Sequence, residues 1–195
     1  MTTRDWMDQG TALFLKTLDG LGDADFDAPS ALPGWTRKHL VAHVHYNAEA
    51  LRRLVSWAAT GVESRMYAGP EQRGAEIEAG AELPAGRLRE LVHGSAAALA
   101  ADLDALPDEA WRSPVVTALG RTVPVSETPW MRTREVSIHA VDLAAGTSFA
   151  DLAQDVNAAI AADALATHAG RGHAADLAAW LTGRAPEAPS VGSWI

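Results

Sequence analysis

The stretch Trp130-Met-Arg-Thr-Arg-Glu-Val-Ser-Ile-His-Ala-Val-Asp-Leu143 follows Thr128-Pro129 and precedes Gly146. A proline suits a first helical turn and a glycine ends one, so the stretch reads as a helix from Trp130 to about Ala145. Glu135 and His139 are four residues apart, and Asp142 is three further on, which puts all three on one helical face. A carboxylate and an imidazole one turn apart can hold the same ion, with the aspartate orienting the imidazole or a bound water. A pair of this kind also occurs on solvated faces. Val136, Ile138, Val141 and Leu143 argue against that here, because they leave little of the helix for solvent.

Working outward, a second histidine-bearing segment lies upstream: Gly34-Trp-Thr-Arg-Lys-His-Leu-Val-Ala-His-Val-His-Tyr-Asn47. Thr36 is a good N-cap for a helix from Arg37 to about Thr60, ended by Gly61. Leu40, Val44, Leu51, Leu54, Val55 and Ala58 recur at three and four residues, marking one buried face. His43 sits in that stripe, either as a core histidine bonded to a backbone carbonyl or as a third ligand. His39, one turn earlier, reads as a further ligand or a first-turn surface residue. His45 lies opposite His43 on the helix and reads as exposed or as a pocket wall, and His93, His168 and His173 read as surface. A His2Glu set of protein ligands leaves positions for water or substrate, the pattern of catalytic zinc sites.

Elsewhere, Trp6, Leu13, Phe14, Leu18 and Leu21 predict a helix over 3–21, and the Pro- and Gly-bearing residues 22–35 predict a loop. Residues 61–83 are polar and carry no assignable period. A helix is expected from Pro84 or Ala85 to Leu106, and the β-branched residues around Leu119-Gly120 predict a small hairpin or an extended loop over 111–125. Two short helices fit 149–168 and 173–182, with an irregular tail after Arg184. The expected fold class is all-α: a four-helix bundle with one long crossover over 1–146, and a short C-terminal helical extension, 147–195, packing on it.

Composition narrows the function. The chain has 195 residues, 48% of them hydrophobic, enough for one ordinary domain with a core. No run approaches the ~18 apolar residues of a membrane span. The opening Met-Thr-Thr-Arg-Asp-Trp lacks the basic and then apolar pattern of a secretory signal, so a cytoplasmic protein is expected. There is no cysteine, which excludes disulfides, thiolate-bound zinc and a cysteine nucleophile. Any thiol chemistry therefore needs a thiol from outside. A formal net charge of −9 argues against sequence-independent nucleic-acid binding.

The pairing of Ala31-Leu-Pro-Gly-Trp-Thr-Arg-Lys-His-Leu-Val-Ala-His-Val44 with Trp130–Leu143 resembles the mycothiol-dependent maleylpyruvate isomerase family, in the wider DinB-like group of four-helix metal proteins. The resemblance spans about residues 5–145 and resumes at Ala178-Ala-Trp-Leu-Thr-Gly-Arg184. It implies a divalent metal held by His43, Glu135 and His139. Zinc is the first expectation, and nickel, iron and manganese also suit the donors. It also implies a supporting role for Asp142, a contribution of Arg184 to activity, and mycothiol as thiol cosubstrate. The partners it implies are that thiol and an electrophilic small molecule such as a carboxylic acid, which Arg184, Arg132 or Arg134 could bind. The implied reaction adds a metal-activated thiolate to a cis double bond, allows rotation and eliminates the thiol, turning maleylpyruvate into fumarylpyruvate. A mycothiol S-transferase and a non-catalytic metal- or ligand-binding protein are the alternatives. Isomerases of the family carry an α/β module after the bundle, which looks trimmed here, since Ala166–His173 is no strand. Monomer and homodimer are equally open.

Overall fold

The computed structural model describes residues 2–192. The chain divides into two compact units, one up to Phe149 and one from Ala150. In the first unit, α1 (Thr3–Asp19) starts on a reciprocal cap. Thr2 Oγ1 accepts from the Asp5 N–H at 3.2 Å, and Asp5 Oδ2 accepts from the Thr2 N–H at 2.7 Å. Helix α2 (Arg37–Thr60) ends at Gly61, whose φ of 73° is the left-handed turn expected there. Next come α3 (Pro70–Ala81), α4 (Ala85–Asp104), a hairpin of β1 (Pro114–Val116) and β2 (Thr122–Pro124), and α5 (Thr128–Asp142). Helix α1 lies along α5, and α2 packs against both α4 and α5, so these four form the bundle. One core cluster gathers Met7, Leu51, Leu54, Leu99 and Leu103, and a second gathers Phe14, Leu40, Leu88, Val136 and Leu143.

Two parts of the first unit differ from expectation. Residues 70–81, unassigned from their polarity, are helix α3, which starts on Pro70 and packs on α2. The approach is close: a Cβ added at Gly80 would lie 2.6 Å from Ala42 Cβ. With α3, α4 and α5 all against it, α2 is buried on more than the predicted stripe, and His45 is buried rather than exposed. Burial pulls its imidazole below the usual histidine range. Helix α5 ends at Asp142 instead of Ala145. The Arg37 guanidinium takes the Leu143 and Ala144 carbonyls at 2.6 and 2.7 Å, and Ala144 turns to a φ of 50°.

The second unit contains α6 (Gln154–His168) and α7 (Ala174–Leu181), with a π-helical turn at Ala169–His173 between them. Gly172, at a φ of 102°, makes that break. No strand occurs here among the described residues. His168 is buried against His173, ring centroids 6.2 Å apart, and is not the surface residue its sequence context suggests. Among the described residues, no helix is long and apolar enough to cross a membrane.

Candidate metal centre

Helices α2 and α5 carry His43, Glu135 and His139 to one point. His43 Nε2 lies 2.9 Å from Glu135 Oε2, and His139 Nε2 lies 3.3 Å from the same oxygen. One ligand atom from each residue falls within 4.8 Å of the other two. The imidazoles meet edge to face, centroids 5.0 Å apart. Both are buried, whereas the Glu135 side chain keeps 22% exposure, so the cluster opens outward through the carboxylate. Trp35 packs on the His43 ring at 5.6 Å.

Burial and mutual contact strongly perturb the charges of the cluster. Burial alone would raise the Glu135 carboxyl, but hydrogen bonds from His139 and His43 hold it well below the usual range, so it is ionised. Burial would lower His139, yet Asp142 and Glu135 overcome that and raise it to about 9. His43 is lowered, because burial outweighs its Glu135 partner. Asp142 Oδ2 sits 2.8 Å from His139 Nδ1, which fixes the ring so that Nε2 points at Glu135. Two imidazole nitrogens and a carboxylate oxygen converging this way fit a divalent ion.

The remaining candidates fall elsewhere. His39 is a helix-start residue: its Nδ1 lies 2.7 Å from Thr36 Oγ1 and 3.3 Å from the Thr36 N–H, and its Nε2 faces Glu78. Arg132 cannot meet a substrate, because it is fully buried and donates from Nη1 to Val44 O and Asn47 Oδ1, both at 2.8 Å. It braces α5 to α2 beside the cluster, and burial drags its guanidinium down to about 10. Arg134 is half-buried and engaged by its neighbours. Arg184 lies after α7 in the second unit, exposed, with its guanidinium donating to Thr182 O.

Sequence reading missed Arg73 and Tyr67. Arg73 Nη2 approaches His43 Nδ1 at 3.4 Å, and Tyr67 lies within electrostatic reach of both Arg73 and Glu135. Gly69-Pro70, a helix-start pair inside the unassigned segment, was the available signal.

Fold and site together define a helical-bundle protein with a His2Glu candidate metal centre. The chain belongs to the mycothiol maleylpyruvate isomerase N-terminal domain family, whose model matches residues 7–144. It is similar to a crystal structure of the mycothiol-dependent maleylpyruvate isomerase, with 43% identity and a TM-score of 0.81 over 85% of this chain and 70% of that one. A histidine-to-alanine variant of that enzyme matches with 42% identity, the same TM-score and the same coverage. No curated protein sequence matches the chain.

Proposed function

We propose that this chain is a metal- and thiol-dependent enzyme that isomerises maleylpyruvate, or a related cis-unsaturated acid, to the trans form. The convergence of His43, Glu135 and His139 carries the reading, in a chain 43% identical to a solved mycothiol-dependent maleylpyruvate isomerase. That likeness favours isomerisation over S-transfer or a non-catalytic role.

His43, Glu135 and His139 would hold the ion, with zinc the first choice. The bound metal supplies Lewis acidity that keeps an incoming thiol, mycothiol by family, as the thiolate needed for reversible addition to the double bond. The chain itself orients the ligands. Asp142 fixes the His139 tautomer through Nδ1, Trp35 packs on the His43 ring, and Arg132 holds α5 against α2. The absence of cysteine leaves the external thiol without a competing thiol in the chain. Arg184 is the further residue proposed for activity, in a helical extension of residues 147–195 that follows a bundle of 1–146. A cytoplasmic location goes with this chemistry, because free thiols persist in reducing compartments.

Metal-loaded protein should convert maleylpyruvate to fumarylpyruvate, followed by absorbance, only when mycothiol is added. Turnover independent of thiol, or no turnover of any cis-unsaturated acid with metal and thiol present, rejects the reading.

A further inference from the structure

Next to the cluster lies a cleft of ≈ 570 Å³, lined by Tyr67, Gly69 and Arg73 on one side and by the hairpin tip, including Thr117 and Leu119, on the other. Arg73 is exposed on α3, yet its guanidinium reaches the His43 ring. Its neighbours are committed. Arg65 pairs with Glu63 at 2.6 Å, and Arg53 donates to Met66 O and faces Glu76 at 3.6 Å. Arg73 forms no ion pair among the described residues, and its contact at 3.4 Å with a ring nitrogen leaves most of its five donors unused.

The charge balance makes that notable. The chain carries a net −9, so an anionic acid entering this cleft is helped by a cation that meets its carboxylate directly. A guanidinium is the side chain whose fork matches a carboxylate.

Building on the isomerase reading, we infer that Arg73 is the specificity residue of this site, binding the carboxylate of the unsaturated acid within the cleft. A carboxylate held by Arg73 lies beside His43, which brings the carbons attached to it to the mouth of the His43–Glu135–His139 cluster. Tyr67 flanks the same space. The hairpin tip forms the outer wall, so the carboxylate end is recognised by charge and the rest of the acid by a surface that includes the exposed Leu119.

The test is a calorimetric titration of the full-length, metal-loaded protein with maleate, using dimethyl maleate as the uncharged control. Arg73→Ala should weaken maleate binding by about 10–100-fold, the loss expected for a charge-assisted hydrogen-bonded pair. Arg73→Lys should recover part of it, and metal content should match the unsubstituted protein in both. Dimethyl maleate should be indifferent to the substitution. With maleylpyruvate as substrate, the rise should fall on KM more than on kcat. Maleate binding to Arg73→Ala as tight as to the unsubstituted protein, or no maleate binding to the latter, overturns the inference. Because the titration needs no turnover, its failure is separable from failure of the isomerase reading: an active isomerase with Arg73-independent acid binding refutes only this role.

Discussion

Helices α2 and α5 meet across buried surface, with His43, Arg132 and His139 packed among residues such as Val44 and Val136. The cleft wall made by residues 65–69 and the hairpin tip is built differently: Arg65, Ala68 and Gly120 are exposed, and Leu119 is 88% exposed. Its inner anchor is Met66, buried, with Sδ 3.2 Å from the Ala118 N–H. The groups that would share one ion sit where rotamers are locked by packing, and the groups that would meet a variable substrate sit on a tethered edge. Tolerance to change should therefore differ sharply between the two regions.

The strongest way to break the comparison is at the cluster. His43→Ala, Glu135→Ala and His139→Ala should each lose most bound metal and with it activity, while circular dichroism stays helical. His93→Ala, which alters only an exposed pair with Asp19, should retain both. Full metal occupancy in the His43→Ala or His139→Ala protein would show that the convergence has no ligand role.

Next comes the brace. Arg132→Leu removes the link to Val44 O and leaves Asn47 Oδ1 without its donor in the core, so unfolding free energy should fall by about 1–3 kcal/mol. Metal affinity should fall alongside it, as α2 and α5 loosen. A chemical denaturation midpoint equal to the parent's would mean the core supports this spacing without Arg132.

Asp142→Asn should lower metal affinity by ~10–100-fold with folding intact, because the amide no longer secures the His139 tautomer. Affinity unchanged in competition with a chromogenic chelator would make Asp142 a bystander.

The pH dependence sharpens the same point. Metal-free His139 titrates at about 9, so at neutral pH an arriving ion must expel its proton. Affinity should climb about tenfold per unit up to about 9 and then level off. The sign for folding is opposite in the metal-free protein. The raised value stabilises the fold fully below the ordinary histidine value of 6.5, and that contribution is lost as pH rises through about 9. Metal affinity that is flat between pH 6 and 9 would contradict an imidazolium at His139.

The smallest effect belongs to the edge. Leu119→Ser should change stability by no more than about 0.5 kcal/mol and leave metal content alone. A larger loss would mean the tip belongs to the packed core after all.

The four-residue spacing of Glu135 and His139, the apolar stripe holding His43, and the caps at Thr36 and Gly61 all act within a turn or two of chain. For that reason the two helices and the residues that converge as the candidate ligand trio were legible in the amino-acid order. Sequence periodicity carries no information about which helices cover which faces. Tertiary packing alone decided that α3 and α4 bury the sides of α2, turning His45 inward, and that Arg132 became a core brace instead of a substrate contact. Likewise, Arg37 stops α5 at Asp142 by reaching across some hundred residues of chain to carbonyls no local rule pairs with it. Arg73 reaches His43 for the same reason: local order set the residue type and the helical period, while the site needed a contact between segments thirty positions apart.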